Sequence, residues 1–239
     1  MTASRPVAEP SSGRWRRLLV RALLAALALL AGLVLFAYFA LAPKVYDVTS
    51  IRDASAYQDA ALLERAWALP VAATYDRERL IFQPRVSWCG PTSLANVIRS
   101  RGGAETSPAD VLAETGYCWL GECIPGLTLD ELAEIARAKV HGEVIVLRDL
   151  SLAEFREHMR RSNDVDRRYV INFLRGPLFR EGGGHHSPIG GYLEAEDLVL
   201  VLDVNEKFEP WLVDTARLYA AMDTVDSGTK KQRGMLLIQ

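Results

Sequence analysis

The sequence has few of the features that mark several large protein classes. Its 239 residues include three cysteines, too few for a disulfide-stapled scaffold. Basic and acidic residues number 28 and 30, so the chain lacks the positive excess of a nucleic-acid-binding domain. It has no internal repeat and no glycine-rich phosphate loop with a lysine. Hydrophobic residues make up 49% of the chain, which excludes wholesale disorder and indicates a globular core.

Charge is absent from one long stretch near the N-terminus. Residues 22–42 contain no charged side chain, and an arginine cluster precedes them. A helix rising about 1.5 Å per residue would cross a hydrocarbon core of roughly 30 Å with this stretch. We therefore predict a transmembrane anchor at residues 18–42, behind a disordered basic cytoplasmic tail at residues 1–17. The cluster comprises Arg14, Arg16, Arg17 and Arg21.

The arginines also predict orientation. They favour a cytoplasmic N-terminus, so residues 44–239 are expected outside the cytoplasm, in the periplasm if the source is bacterial. A cleaved signal peptide stays open, because Ala40-Leu41-Ala42 is similar to a small-x-small cleavage site. Against it, the apolar run is longer than a usual signal core. A buried helix of a soluble protein is the other alternative, but it would not need arginines at one end.

Beyond the anchor, helical patterns give way to extended ones. Residues 43–64 are expected to be a linker and residues 65–239 one folded domain, with an early helix over 55–69. Residues 84–163 carry capped, amphipathic helical segments, and residues 168–239 are mainly extended. Helices followed by an antiparallel sheet is an α+β order. The expected strands are Val144–Leu147, Tyr169–Leu174, Pro188–Leu193, Leu198–Val204 and Gly234–Gln239, with a helix near Thr215–Met222.

Cys89 lies where a thiolate is favoured. It is at the predicted N-terminus of a helix, where the helix dipole and free backbone N–H groups stabilise negative sulfur. Gln83, six residues earlier, carries an amide that can join the Cys89 N–H in an oxyanion hole. A cysteine alone is more often a small buried hydrophobe. The case for a nucleophile therefore depends on a base and its orienting group.

A glycine-rich segment supplies that base. Residues 182–192 read GGGHHSPIGGY, and the next apolar strand ends in Asp203. If His185 opens one strand and Asp203 ends its antiparallel neighbour, the hairpin brings carboxylate and imidazole together. Cysteine, histidine and aspartate then form a nucleophile, base and orienting group. The alternative is a hairpin with exposed histidines and no catalytic role.

No protein metal site is expected. His185 and His186 are adjacent on a strand, so their side chains should point to opposite faces and not share an ion. We also expect His186→Ala to retain most activity, whereas Cys89→Ser and His185→Ala abolish acyl-enzyme formation. Cys118 and Cys123 lack a second pair of ligands, and the sequence leaves open whether they form a disulfide.

Several blocks together resemble the phytochelatin synthase family, in a short prokaryotic-type form without the Cys-rich C-terminal region. The resemblance covers roughly residues 65–239. It implies a papain-like fold in which a helical half carries the nucleophile and packs on an antiparallel sheet half. The blocks are Cys89-Gly-Pro-Thr-Ser, Gly184-His-His-Ser-Pro-Ile-Gly-Gly-Tyr192, Leu202-Asp203-Val204, and Ala221-Met-Asp-Thr-Val-Asp-Ser227 followed by Arg233-Gly234.

The resemblance also implies roles for single residues. Cys89 is then the nucleophile, His185 the base, Asp203 its orienting group and Gln83 the oxyanion donor. A further pair, Asp226 and Arg233, matches positions associated with gripping the γ-glutamyl end of glutathione. One anion and one cation suit a zwitterionic amino acid head. An ordinary loop salt bridge is the alternative for that pair.

The activity implied is cleavage of glutathione and related γ-glutamyl thiol peptides at the Cys–Gly bond. A γ-glutamylcysteinyl-enzyme forms, and water or a second glutathione takes the acyl group. No cofactor is required, and a heavy-metal ion such as Cd or Zn takes part as a glutathione thiolate complex. The expected partners are this substrate and the membrane, without nucleic acid; the oligomeric state is left open.

One departure from the family changes the expected product. Glu206 stands where the family has an arginine, and an acid there repels an anionic acceptor, which predicts hydrolysis or slow transfer over efficient synthesis. Two other functional classes stay open. One is a papain-like peptidase of the bacteriocin-processing kind, which shares the Gln, Cys-Gly, His, Asp order. The other is a membrane-tethered, non-enzymatic thiol or metal-binding module.

Overall fold

The chain divides between residues 43 and 44 into two units, in a computed structural model that describes residues 12–41, 44–118, 123 and 126–239. The first unit is one helix, α1 (Ser12–Leu41), which begins inside the expected tail. Its window Trp15–Tyr38 has mean hydropathy 2.6 and no buried residue. This helix is long and apolar enough to cross a membrane, a test that a signal sequence also passes. Residues 1–11 and 42–43, parts of the expected tail, anchor and cleavage site, lie outside the described residues.

The second unit contains seven described α-helices and a six-stranded sheet. The helices are α2 (Ala60–Trp67), α3 (Cys89–Ser100), α4 (Pro108–Leu112), α5 (Leu129–Lys139), α6 (Leu152–Arg161), α7 (Gly176–Phe179) and α8 (Thr215–Met222). The strands are β1 (Val144–Leu147), β2 (Arg168–Leu174), β3 (Gly184–Leu193), β4 (Leu198–Val201), β5 (Trp211–Asp214) and β6 (Gly234–Ile238).

Side-chain caps decide where several helices begin. The side chains of Thr128 and Ser151 each accept a hydrogen bond from the backbone N–H of the third helical residue. That residue is a glutamate in both helices, and its carboxylate accepts a bond from the backbone N–H of the capping residue. α5 and α6 therefore start where the sequence predicted. The early helix expected over 55–69 is shorter. Asp59 caps it through the Leu62 N–H, and α2 therefore begins at Ala60.

The strands form one antiparallel sheet in the order β1-β6-β2-β3-β4-β5. The α+β class is therefore confirmed, although the short strand β5 and helix α7 were not predicted. Helices cover both faces of this sheet. Val170 belongs to the apolar cluster that includes α3 and α5, whereas Ile171 and Phe173 belong to the cluster with α6 and α8. Strand β2 is almost continuously apolar for this reason: both of its faces are buried.

The sheet and the helix packed on it bring three segments of the chain together. β2 pairs with β3 so that Asn172 lies opposite His186 and Phe173 opposite His185. β3 pairs in turn with β4, after which the chain continues to Asp203. Helix α3 packs on β3, and Cys89 is its first residue. The start of β3, the end of β4 and the N-terminus of α3 thus meet in one place.

Candidate active site

Cys89 is fixed between a helix and a strand. It opens α3, and it is 7% exposed. The Ser93 Oγ lies 2.8 Å from the Cys89 carbonyl oxygen and 3.1 Å from that of His186, which ties the first helical turn to β3. Backbone N–H groups in a first helical turn have no partner within the helix, and their dipoles favour negative charge on the sulfur.

His185 and Asp203 meet through the β3–β4 hairpin. The His185 Nε2 lies 3.0 Å from the Asp203 Oδ1, and both side chains are buried. With Nε2 engaged by the carboxylate, Nδ1 is the remaining nitrogen of the ring. His185 is close enough to Cys89 to act on the thiol, whose pKa it lowers. The structure therefore brings nucleophile, base and carboxylate together, while their catalytic roles stay predictions.

Three further groups surround the Asp203 carboxylate. The Arg175 Nη2 donates to both carboxylate oxygens at 2.8 Å, and the Trp211 Nε1 donates to Oδ2 at 2.9 Å. The Asn205 backbone N–H donates to Oδ1, also at 2.9 Å. Burial acts to raise the pKa of Asp203, but His185, Arg175 and Trp211 outweigh it and lower that pKa. The carboxylate therefore stays ionised with no exposure to solvent.

The same charges tune the thiol and the imidazole in opposite directions. Burial acts to raise the pKa of Cys89, yet His185 and His186 hold it well below its usual value. Burial acts to lower the pKa of His185, and Arg175 acts in the same direction. The negative Asp203, together with Cys89, outweighs both and raises the His185 pKa. Both shifts favour a thiolate–imidazolium pair, which is the reactive form of a cysteine nucleophile.

His186 also reaches Cys89, which the sequence did not predict. The His186 Nδ1 lies 3.8 Å from the Cys89 Sγ. Its Nε2 lies 2.5 Å from the Asn172 Nδ2, and the Asn172 Oδ1 accepts a hydrogen bond from the Arg233 Nη1 at 3.0 Å. The two adjacent histidines have different partners, as the alternation along a strand requires. The thiol nevertheless lies within reach of both rings.

Asp226 and Arg233 face the same cavity as the thiol. This cavity has a volume of about 140 Å³. Arg233 donates a hydrogen bond to Asp226, and a backbone bond between Thr224 and Arg233 closes the intervening loop. Burial acts to raise the pKa of Asp226, but Arg233 and two loop N–H groups lower it. The lining includes Cys89, Asn172, Gly184, His186, Asp226 and Arg233.

Gly184 makes room for the charged side chain of Arg233. A Cβ at residue 184 would lie 2.9 Å from the Arg233 Nη1, closer than such atoms normally approach. The guanidinium can therefore lie against the first residue of β3, beside the thiol cavity. This close approach explains why the third residue of the GGGHH segment is a glycine.

Gln83 is held in the loop before Cys89. Its Nε2 donates to the carbonyl oxygens of Arg85 and Val86, each at 3.0 Å, and its backbone N–H donates to Val204. Both amide hydrogens are thus engaged, and Gln83 does not line the cavity just described. Its role as an oxyanion donor stays a prediction.

Within the described ranges, no group of three or more His, Cys, Asp or Glu side chains is arranged to hold a metal ion. Cys118 and Cys123, which the sequence left undecided, form a disulfide. The Cys123 backbone N–H lies 3.3 Å from the Ser87 Oγ, and Ser87 lines the Cys89 cavity. The disulfide is therefore attached to the rim of the site but not to its reacting groups.

Comparison with known proteins agrees with the residues assembled in the site. Residues 48–235 match the family described as phytochelatin synthase, which is more than half of the chain. The chain belongs to the phytochelatin synthase family. The expected arrangement is present: a helix that begins at the cysteine packs on an antiparallel sheet, with His185 in β3 and Asp203 just after β4.

Curated relatives of this phytochelatin synthase family member share part of its length. Glutathione gamma-glutamylcysteinyltransferase 3 of Lotus japonicus is 35% identical over 118 residues, 48% of this chain and 25% of that protein. The Schizosaccharomyces pombe enzyme of the same activity name is 30% identical over 117 residues, 48% of this chain and 28% of that protein. The chain therefore aligns with only about a quarter of each relative.

Two solved structures are similar in shape. The peptidase domain of Streptococcus ComA gives a TM-score of 0.46 at 16% identity, covering 66% of this chain and 95% of that domain. A C39-like peptidase from Bacillus anthracis gives a TM-score of 0.48 at 13% identity, covering 67% of this chain and 94% of that protein.

Sequence reasoning missed three polar side chains of the site in addition to His186. Arg175 follows an apolar strand just as Asp203 does, so the same rule would have found it. Asn172 is the single uncharged polar residue inside the apolar run of β2, another usable signal. Nothing in the sequence singled out Trp211. Its part in the site becomes visible only in the structure, where its Nε1 donates to the Asp203 Oδ2.

Proposed function

We propose that this phytochelatin synthase family member cleaves glutathione at the Cys–Gly amide and transfers the γ-glutamylcysteinyl group to water or to a second glutathione. The observation that carries the proposal is the shared cavity of the Cys89 thiol and the Asp226–Arg233 charge pair. Cys89 supplies the nucleophile, and the charge pair suits the zwitterionic end of a γ-glutamyl substrate.

Acylation begins with the thiolate. Cys89 attacks the carbonyl carbon of the Cys–Gly amide, and the imidazolium of His185 gives its proton to the departing glycine nitrogen. The C–N bond breaks and a γ-glutamylcysteinyl thioester remains on Cys89. Asp203 holds the His185 ring and stabilises its charged form, as their 3.0 Å contact supports. Free glycine is the first product.

Deacylation uses the same imidazole in the opposite direction. Neutral His185 accepts a proton from water, or from the amino group of a second glutathione, as that nucleophile attacks the thioester carbonyl. The C–S bond breaks, and the sulfur leaves as a thiolate beside the newly formed imidazolium. Water yields γ-glutamylcysteine, and a second glutathione yields the shortest phytochelatin.

The γ-glutamyl head is assigned to Asp226 and Arg233. An ammonium group suits the Asp226 carboxylate, and a carboxylate suits the Arg233 guanidinium. Arg233 is 6% exposed, and its Nε is buried without a hydrogen-bond partner among the described residues. A buried donor without a partner has a hydrogen bond to offer a ligand. This supports the assignment of the substrate carboxylate to Arg233.

Gln83 is proposed to complete the oxyanion hole with the Cys89 N–H, after its amide releases one loop carbonyl. Gln83→Ala then lowers kcat by about 10²–10³ with little change in the KM for glutathione. Gln83→Glu, which keeps the shape but loses both donors, is the matched variant. A normal kcat in a stably folded Gln83→Ala protein would exclude this role.

Heavy-metal ions enter as part of the substrate. A thiolate of glutathione is a soft ligand for Cd²⁺ or Zn²⁺, so a metal–glutathione complex can be offered to the site as a blocked thiol peptide. The absence of a preformed metal cluster in the described residues is compatible with this route. No resident cofactor has a part in the proposed steps.

The decisive experiment incubates the full-length protein in detergent with millimolar glutathione, with and without Cd²⁺. Mass spectrometry should detect glycine, γ-glutamylcysteine and a γ-glutamylcysteinyl adduct on Cys89. Cys89→Ser is the control and should form no adduct. Cleavage of a plain leader peptide in place of glutathione would indicate the peptidase alternative, and no reaction with either would indicate a binding module.

We further propose that α1 is an uncleaved anchor with an extracytoplasmic catalytic domain. The support is the arginine cluster before the uncharged run and the absence of burial in Trp15–Tyr38. Alkaline phosphatase fused after Gln239 should be active, and green fluorescent protein at the same point should be dark. The opposite pattern would reverse the orientation, and a mature protein beginning after residue 42 would indicate cleavage.

A further inference from the structure

His186 is the one buried histidine at the reacting sulfur to which the proposed mechanism gives no step. It is 2% exposed, and its Nδ1 lies 3.8 Å from the Cys89 Sγ. A buried imidazole in contact with a nucleophile can act as a base, a charge or a hydrogen-bond donor. Which of these it does depends on where its proton lies.

The neighbours of His186 fix that proton. Arginine only donates hydrogen bonds, so the Asn172 atom that faces the Arg233 Nη1 at 3.0 Å must be the amide oxygen. The Asn172 amide nitrogen then faces the His186 Nε2 at 2.5 Å and donates to it. A ring nitrogen that accepts a hydrogen bond carries no proton, so the proton of neutral His186 lies on Nδ1. That nitrogen points at the Cys89 sulfur.

We propose that His186 is a fixed, neutral hydrogen-bond donor to the Cys89 sulfur, with Asn172 and Arg233 as the positioning residues that hold its tautomer. His186 touches the reacting atom and keeps its proton throughout the cycle, whereas His185 gives and takes one. The charged or titratable groups facing this network are Cys89 of α3, His185 of β3, and Arg233 and Asp226 at the cavity.

The hydrogen bond from His186 matters most in deacylation, when the Cys89 sulfur is the leaving group; this point rests on the proposed function. During deacylation His185 is occupied in taking the proton of the incoming nucleophile. The departing thiolate then needs a donor other than His185, and the Nδ1–H of His186 is in place. Loss of this donor should therefore slow thioester breakdown and let the acyl-enzyme accumulate.

Three replacements separate the two nitrogens of the ring. His186→Asn keeps an amide at the position of Nδ1 and so keeps a donor to sulfur. His186→Gln carries its amide at the position of Nε2, towards Asn172, and loses the sulfur contact. His186→Leu loses both. His141→Leu is the control, because His141 is exposed and remote from the site.

The first measurement is the pH profile of iodoacetamide alkylation at Cys89, the free cysteine, followed by mass spectrometry of the full-length protein. It requires no turnover of glutathione. In His186→Leu and His186→Gln the profile should move to higher pH by about half to one unit, so alkylation on its acid limb slows about three- to tenfold. His186→Asn and His141→Leu should keep the wild-type profile. An unchanged profile in a stably folded His186→Leu protein would overturn the proposal.

The second measurement uses wild-type protein and so does not depend on whether a variant folds. NMR of ¹⁵N-histidine-labelled protein should show a protonated Nδ1 and a bare Nε2 for His186 between pH 6 and 8. The opposite tautomer, or a ring protonated on both nitrogens, would refute the assignment. If both measurements agree with expectation but glutathione is not cleaved, the proposed function fails and the role of His186 stands.

Discussion

Arg175 donates to both carboxylate oxygens of Asp203, each at 2.8 Å, so the group that orients His185 is itself half of a buried ion pair. The Arg175 guanidinium also lies 3.8 Å from the centre of the Phe208 ring. Asp203 therefore has two roles. It fixes the base, and it neutralises a cation that is only 6% exposed.

We expect Asp203→Asn to lower both activity and stability. The kcat should fall by about tenfold or more, yet less than in Cys89→Ser or His185→Ala, because an orienting group is partly replaceable. The free energy of unfolding should fall by about 3–5 kcal/mol, because Arg175 is left buried without a counter-charge. Thermal or urea unfolding measures the second effect. The double variant Asp203→Asn/Arg175→Met should recover stability but not activity, and an undiminished stability of Asp203→Asn would contradict the buried pair.

The pH dependence follows from the two shifted groups. The lowered pKa of Cys89 extends the thiolate to lower pH than in an ordinary cysteine, and the raised pKa of His185 extends its protonated form to higher pH than in an ordinary histidine. The profile of kcat/KM for glutathione should be a broad bell between these two limits. In Asp203→Asn the main influence that raises the His185 pKa is gone, so the alkaline limb should move to lower pH. A limb that stays in place would identify a different acid.

The charge pair at the cavity should control substrate binding. Asp226→Asn and Arg233→Lys are each expected to raise the KM for glutathione about tenfold or more, because a charge-assisted hydrogen bond to the γ-glutamyl head is lost or misaligned. Asp223→Asn in the same loop is the control, since Asp223 is exposed and its carboxylate accepts a hydrogen bond from the Gln232 side chain, outside the cavity. Steady-state kinetics with glutathione decides. Equal KM values in the wild type and the three variants would show that Asp226 and Arg233 only stabilise the loop and do not bind glutathione.

The product ratio should depend on Glu206. This residue is exposed in the loop between β4 and β5, inside the turn in which the Lys207 N–H donates to the Asn205 side chain. At millimolar glutathione we expect γ-glutamylcysteine to exceed the shortest phytochelatin, and Glu206→Arg to move the ratio towards transfer. Glu209→Arg makes the same charge change in the same loop and serves as the control. Mostly phytochelatin from wild-type protein with Cd²⁺ present would show that the acid does not limit transfer.

Local sequence order determined much of the site. A cysteine at a helix start is visible from Pro91 and the apolar spacing that follows it. The contact of His185 with Asp203 is also foreseeable, because a short turn joins their two strands and forces the ends into proximity. The membrane-type helix depends on composition alone. In each of these cases the relevant residues are close in the chain or share one regular element.

Only the tertiary structure decided which neighbours those residues have. Asn172 lies in β2 and Arg233 directly precedes β6, and no local sequence pattern predicts that these two strands are neighbours in the sheet. The same holds for Arg175 beside Asp203, and for His186, which contacts Cys89 because α3 packs on β3. Side-chain alternation predicted that the two histidines would differ, and they do. The alternation could not predict that both histidines would lie near the Cys89 sulfur. That depends on where the N-terminus of α3, from a distant part of the chain, packs against β3.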